Sequence, residues 1–324
     1  MMKTKFTLIT CALGLAIISC SPKAISQHSV PTTGDVMGAT EITVTGKDAF
    51  IMLQKNICGT TEEGRTRYGI WEGRAYSRVP GEKDRHIFNV VGLNTRQCNV
   101  VEDPVRGKGF KSVSREIMLY MDPETNEILD TWMNPWLGRE VNVLHVANDP
   151  VNMRGTLYEK DENGEYARTT SVRDLGDIVS SGAEIPLFYA NPLNGEYQGY
   201  VGGAYHAMEI FNTFWDREEM MNPNVNTISQ STLSWSRVAQ WLPWMEMGSK
   251  PGLMIFNTTG FSTFDRSRVY PILEQAVAER FPIYLDPPPK EDNRPNETSW
   301  TVFKKYIADK ETINVRAQGV EGHH

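Results

Sequence analysis

Apolar and polar positions along the chain alternate mostly with a period of two. Residues 65–79 (RTRYGIWEGRAYSRV) and 86–101 (HIFNVVGLNTRQCNVV) read as long strands joined by the turn sequence Pro80-Gly81-Glu82-Lys83-Asp84. A three-strand meander is predicted next. Strand 115–121 turns through Asp122-Pro123-Glu124-Thr125-Asn126 into 127–133, and Asn134-Pro135-Trp136-Leu137-Gly138 turns the chain again into 140–149. In that third strand Val141, Val143, His145, Ala147 and Asp149 share one face, and the opposite face is also largely apolar. Such a strand is expected to be covered on both sides. Asn163-Gly164 predicts a hairpin between 155–160 and 165–171, and further strands fit 184–190, 202–215, 226–237 and 252–264.

Helical spacing is confined to the ends. Thr45-Gly46-Lys47-Asp48 reads as a capping box opening a short helix with Phe50, Leu53 and Ile57 on one face. Pro271 opens a helix to Phe281, Asp286-Pro287-Pro288-Pro289 is stiff and extended, and 298–309 is a last helix with Trp300, Phe303, Tyr306 and Ile307 inward. Strands at this frequency without a βαβ rhythm predict a mainly β fold. We expect a large antiparallel sheet curled into a barrel or sandwich, with one short N-terminal and two C-terminal helices.

The first residues follow another logic. Lys3 and Lys5 precede an apolar run over 6–18, too short to span a bilayer, and Ile17-Ile18-Ser19-Cys20 has the shape of a lipobox. This resembles bacterial lipoprotein signal peptides and implies cleavage before Cys20 and lipidation of that cysteine, a membrane anchor outside the cytoplasm. Ser21 after the cysteine points to the outer membrane, on its periplasmic face or at the cell surface, if the source is Gram-negative. The expected division is a signal peptide over 1–19, a lipidated cysteine and flexible tether over 20–45, and one β-rich domain over 46–324.

Composition narrows the function classes. The 324 residues carry a net charge of only −7 and no Lys/Arg-rich block, which argues against nucleic-acid partners. Eight Trp, 12 Tyr and 12 Phe suit a β architecture and an aromatic-lined pocket alike. Besides Cys11 and Cys20 there remain Cys58 and Cys98, which in an oxidising compartment form either one disulfide or two buried thiols. No His-x-His or His-Glu-x-x-His spacing, Gly-x-Ser-x-Gly, phosphate loop or dinucleotide fingerprint is present, so no metal and no cofactor is expected.

Several stretches carry a resemblance: WEGRAYSRVPGE at 71–82, EIMLYMDPETNEILDTWMNPWLG at 116–138, HVANDPV at 145–151, SWSRVAQWLPWMEMG at 234–248 and NETSWTVFKKY at 296–306. Together they resemble the bacterial family known as domain of unknown function 1838. The resemblance implies a single domain from about residue 49 onward with shared sites, and supplies no mechanism.

Three constellations are candidates for chemistry. His145, Asn148, Asp149 and Asn152 lie at a predicted strand end, where an imidazole beside a carboxylate is equipped for proton transfer. Tyr205, His206 and Glu209 lie in a predicted strand among aromatics, where a carboxylate must be paired, protonated or face a cavity; Arg74, Arg96 and Arg115 are the cations considered as its partner. Trp132, Trp136, Trp235, Trp241 and Trp244, with Arg237 and Glu246, form an aromatic group able to stack on a ligand ring. Two functions are compatible with these residues. One is a membrane-tethered barrel binding a small, partly apolar or aromatic molecule through Trp132, Trp136, Asn148, Arg115, Tyr205, Trp235 and Arg237. The other is a cofactor-free acid–base enzyme, a lyase, isomerase or hydrolase, with His145 or Asp149 as base and Glu209 or Tyr76 as acid. The sequence leaves the oligomeric state open.

Overall fold

One antiparallel sheet of eleven strands organises the chain, in the order β1-β9-β10-β11-β12-β13-β2-β3-β4-β7, with β8 also pairing β4. The computed structural model describes residues 39–190, 197 and 199–321, and the signal segment, Cys20 and the tether to residue 38 lie outside the described residues. The strands are β1 (Thr40–Thr45), β2 (Arg67–Arg78), β3 (Arg85–Asp103), β4 (Gly107–Met121), β7 (Val146–Asn148), β8 (Leu157–Tyr158), β9 (Thr169–Asp174), β10 (Ile178–Tyr189), β11 (Tyr205–Asp216), β12 (Gln230–Ala239) and β13 (Leu253–Thr263). A separate two-stranded ribbon pairs β5 (Thr131–Asn134) with β6 (Arg139–Asn142). Four helices complete the described residues: α1 (Gly46–Cys58), α2 (Arg217–Met221), α3 (Pro271–Arg280) and α4 (Ser299–Glu321).

Alternation divides the sheet into two faces. On the outer face Tyr68, Ile70, Val91, Leu93, Ile117, Leu119 and Met121 form one core with Leu273 and Val277 of α3 and with Tyr284 of the following 3-10 turn. Each fully buried aliphatic side chain there stabilises the fold by roughly 1.5–3 kcal/mol. On the inner face Phe88, Tyr120, Phe256 and Met118 pack with Trp244 and Met245 of a 3-10 turn at Pro243–Met245 and with Phe303 and Ile307 of α4. The inner side chains of α4 are those the helical spacing assigns to its buried face.

The sheet is strongly curled. Strands β11 and β4 are five places apart, about 24 Å across a flat sheet, yet Glu209 of β11 and Glu116 of β4 line one and the same cavity. The two ends of the strand order are not hydrogen-bonded to each other among the described residues, so the sheet is open. Inner-face glycines assist the curl. Trp71 lies between Gly260 and Gly92 on the neighbouring strands, and a Cβ on Gly92 would stand 2.0 Å from Trp71 Cε2, so the indole lies across that glycine.

Five expectations are corrected. Residues Thr40–Thr45, placed in the tether, form β1 and pair with β9. The Thr45 side chain makes no capping hydrogen bond at α1. The 127–133 strand touches β4 only through a Met121–Ile128 bridge, because 131–134 pairs with β6 instead. The 140–149 strand is interrupted at 143–145, where the chain leaves the ribbon for the edge of β4. Its two apolar faces reflect this crossing: Val141 and Val146 pack with the inner core while Ala147 packs with the outer one. Around Asn163-Gly164 the turn forms, with Asp161 Oδ1 accepting from the Asn163 and Glu165 amides at 2.8 and 3.0 Å, but the hairpin does not. Its flanks find larger partners, β8 on β4 and β9 on β1 and β10.

Candidate functional site

The curled inner face encloses a cavity of about 550 Å³, within the range of roughly 300–1,000 Å³ that small-molecule sites occupy. Regular alternation aims its walls. Trp71 on β2, Trp235 on β12 and Phe211 on β11 supply aromatic surface, and Trp300 at the start of α4 sets its ring edge-on to Tyr205 with centroids 4.5 Å apart. Trp235 stands opposite Phe211 in the register, with rings 6.4 Å apart and 29° from parallel.

Set into this aromatic wall is an electrostatic network. Arg237 faces Glu209 across β12 and β11, donates to its Oε1 at 2.8 Å and to the Tyr205 hydroxyl at 3.0 Å. The pair keeps 23% and 19% of its side-chain surface accessible although it lies in the middle of two strands, and that surface is turned to the cavity. Across the cavity on β4, burial pushes the Glu116 carboxyl up, and the negative charge of Glu209 adds to the effect; Arg96, Arg237 and a hydrogen bond with Asn148 oppose it. At the end near α1, Arg67 and Arg96 are cross-strand neighbours on β2 and β3. Arg67 donates to Ser231 Oγ at 2.7 Å and to the Lys55 carbonyl at 3.3 Å, and Arg96 donates to the Ile57 carbonyl at 3.0 Å. Burial, with the charge of Arg96 behind it, brings Arg67 down to about 9.

Unmet polar atoms concentrate in these walls. Trp71 Nε1, Trp235 Nε1, Arg96 Nε, Arg237 Nε and Asn148 Oδ1 are buried and have no hydrogen-bond partner among the described residues. These atoms are themselves closed to solvent and so stand behind the cavity surface, and three further orphans, Gln54 Oε1, His145 Nε2 and Trp215 Nε1, lie away from it.

The sequence-derived candidates divide cleanly. Asn148, Tyr205, Glu209, Trp235 and Arg237 line the cavity; His145, Asp149, Tyr76, Arg115, Trp132 and Trp136 do not. His145 is buried beside a second void of only about 10 Å³, where its Nδ1 accepts from the Tyr120 amide at 3.1 Å and its ring stacks on Tyr120, while its Nε2 has no hydrogen-bond partner among the described residues. Burial, aided by the nearby Arg280 charge, brings the imidazole down to about 4, so it is neutral at ordinary pH. Asp149 is clasped by Arg115 at 2.7 Å and Arg294 at 2.8 Å, which hold its carboxyl below the usual range against the opposing effect of burial. Tyr76 packs against His86. Trp132 and Trp136 belong to the inner aromatic core, beside Phe88 and Trp241 at 5.1 and 4.9 Å. The partner of Glu209 is Arg237 rather than Arg74, Arg96 or Arg115.

Sequence reasoning passed over Trp71, Glu116 and Arg67. Alternation was the available signal, since Glu116 shares a face with Met118 and Tyr120 in an otherwise apolar run. Cys58 and Cys98 are bonded, tying the end of α1 to β3 beside the arginine end of the cavity. No group of three or more His, Cys, Asp or Glu able to hold a metal occurs among the described residues, and no described helix is long and apolar enough to cross a membrane.

The chain belongs to the family described as "Protein of unknown function (DUF1838)", whose model matches residues 64–307. The match spans every cavity-lining strand and the start of α4, and leaves out β1 and α1. No curated protein matches the chain.

Proposed function

We propose that this member of the family binds a small, partly apolar or aromatic molecule inside its curled sheet, and that it does so outside the cytoplasm on a lipid anchor at Cys20. The observation that carries the binding reading is the cavity itself: about 550 Å³ walled by Trp71, Trp235 and Trp300 around a fixed Arg237–Glu209 pair. Aromatic walls with a few convergent polar groups are the usual construction of a small-molecule site. The anchor rests on the lipobox-like Ile17-Ile18-Ser19-Cys20, and the Cys58–Cys98 bond suits an oxidising compartment. In this reading the sheet is a barrel-like cup, the tether lets it stand off the membrane, and residues 39–324, with β1 included, act as one domain.

Native mass spectrometry of the protein purified without harsh washing, compared with its denatured mass, tests the binding. A retained small molecule is expected. A bare mass that also ignores a metabolite extract would overturn it. Metabolic labelling with a radioactive fatty acid tests the anchor, and the label should vanish in Cys20→Ser.

One observation favours a second reading, a cofactor-free acid–base enzyme using the same cavity. Glu116 is a carboxyl raised by burial and by a neighbouring carboxylate, the arrangement that keeps a proton available for transfer. In that role Glu116 replaces His145, Asp149 and Tyr76, which do not reach the cavity. Incubation of the retained molecule with the protein would then change its mass or structure, and Glu116→Gln would stop the change while leaving binding intact.

A further inference from the structure

The arginine end of the cavity narrows the ligand class. Arg67 and Arg96 face each other in the β2–β3 register, and neither forms a salt bridge among the described residues. Their hydrogen bonds go to two carbonyls and a hydroxyl, and Arg96 Nε has no partner. Two adjacent buried guanidiniums repel each other and each loses hydration; the Glu116 charge offsets this at Arg96 without an ion pair, and no carboxylate does so at Arg67, so an anion between the two relieves the rest. Guanidiniums present planar forks that match an oxyanion.

The other charges of the cavity set the size of that anion's charge. Three guanidiniums, of Arg67, Arg96 and Arg237, face two carboxyls, of Glu116 and Glu209. Glu297 at the rim is engaged by Lys305, and Lys55, behind Arg67, donates to the Glu219, Met220 and Asn222 carbonyls. With Glu116 ionised, as in the binding reading, a single negative charge balances the set, whereas a dianion would stand against both carboxyls. The walls add the shape: the Trp71 indole lying across Gly92, with Trp235 and Phe211, favours a flat ring system over a flexible chain.

We infer that the ligand is a monoanionic acid with an aromatic or alicyclic body, its oxyanion held between Arg67 and Arg96 and its ring against Trp71 and Trp235. This rests on the binding reading above and specifies its chemistry.

Two fluorescent probes with nearly the same body separate the two claims. One, 8-anilinonaphthalene-1-sulfonate, is a monoanion; N-phenyl-1-naphthylamine lacks the charge. Both should bind the folded protein, the anion about tenfold more tightly or better. Arg96→Met should remove most of that advantage and leave the uncharged probe within about twofold, with folding checked by circular dichroism. The wild-type comparison alone suffices if the variant fails to fold. Equal affinity for the two probes, or an anion preference that survives Arg96→Met, overturns the anion site while the cavity reading stands. Binding of neither probe overturns both.

Discussion

Replacing His145 by Asn separates a packing histidine from a catalytic one. Asn keeps a carbonyl oxygen near the position of Nδ1 and so can still accept from the Tyr120 amide, but it does not titrate. In the native protein the imidazole lies at about 4, because it is buried and near Arg280, with Asp130 only partly offsetting that charge. In the unfolded chain it returns to about 6.5. Between these values the unfolded state binds a proton that the folded state does not, so stability is full above the unfolded value and is lost as pH falls toward the folded one. The two values give a loss of roughly 2 kcal/mol between pH 7 and pH 5 from this residue alone. Urea unfolding at both pH values measures it. The wild-type protein should lose about 2 kcal/mol more than His145→Asn over that interval, and ligand affinity should stay within twofold in the variant. Identical pH slopes in the two proteins would refute the assignment, as would an imidazole titrating near 6.5 by NMR.

Four further outcomes follow from the same structure. Glu116→Gln should flatten the stability profile just above the ordinary Glu range near 4.3, because a carboxyl raised in the folded state makes wild-type stability fall as pH rises through that window; parallel urea curves would contradict this. Arg237→Met should cost about 3 kcal/mol or more in urea unfolding by leaving Glu209 unpaired beside the cavity, and a cost below about 1 kcal/mol would show the pair to be solvent-screened. Replacing Cys58 and Cys98 together by Ser should cost roughly 3–4 kcal/mol for a loop closed across 40 residues, measured under non-reducing conditions against the wild type. Gly92→Ala should push the Trp71 indole off its seat, costing roughly 1–3 kcal/mol and shifting the tryptophan emission; an unchanged spectrum and stability would mean that the indole does not rest there.

The strands were legible wherever alternation ran long against one partner. β2, β3, β11, β12 and β13 stand within a few residues of the expected segments, and the turns at Pro80-Gly81 and Asp122–Asn126 form, the latter with Asp122 Oδ1 accepting from the Glu124 and Thr125 amides. What the chain could not reveal is which edge a short segment joins. Leu157–Tyr158 and Thr169–Asp174 flank a good turn, yet pairing with β4 and with β1 and β10 places them in the large sheet, and a two-stranded hairpin is marginal by comparison.

The site was legible by residue type but not by side of the sheet. His145, Asp149 and Arg115 are charged or titratable residues amid apolar positions, the same signature as Glu209 and Arg237, and both groups find partners inside the protein while leaving one nitrogen each, His145 Nε2 and Arg237 Nε, without one among the described residues. The difference arises only from curl. It turns the inner face of β4, β2 and β12 onto one void, so Glu116, Trp71 and Arg237 meet from strands far apart in sequence, while Asp149, clasped by Arg115 and Arg294, is left out of that void. A one-residue change of register would exchange the faces, and with them Glu116 for Arg115. The register is held by the apolar pattern of 117–121, where Ile117, Leu119 and Met121 pack outward under α3 and Met118 and Tyr120 pack inward. The chemistry of the cavity is therefore set by a hydrophobic alternation that takes no part in it.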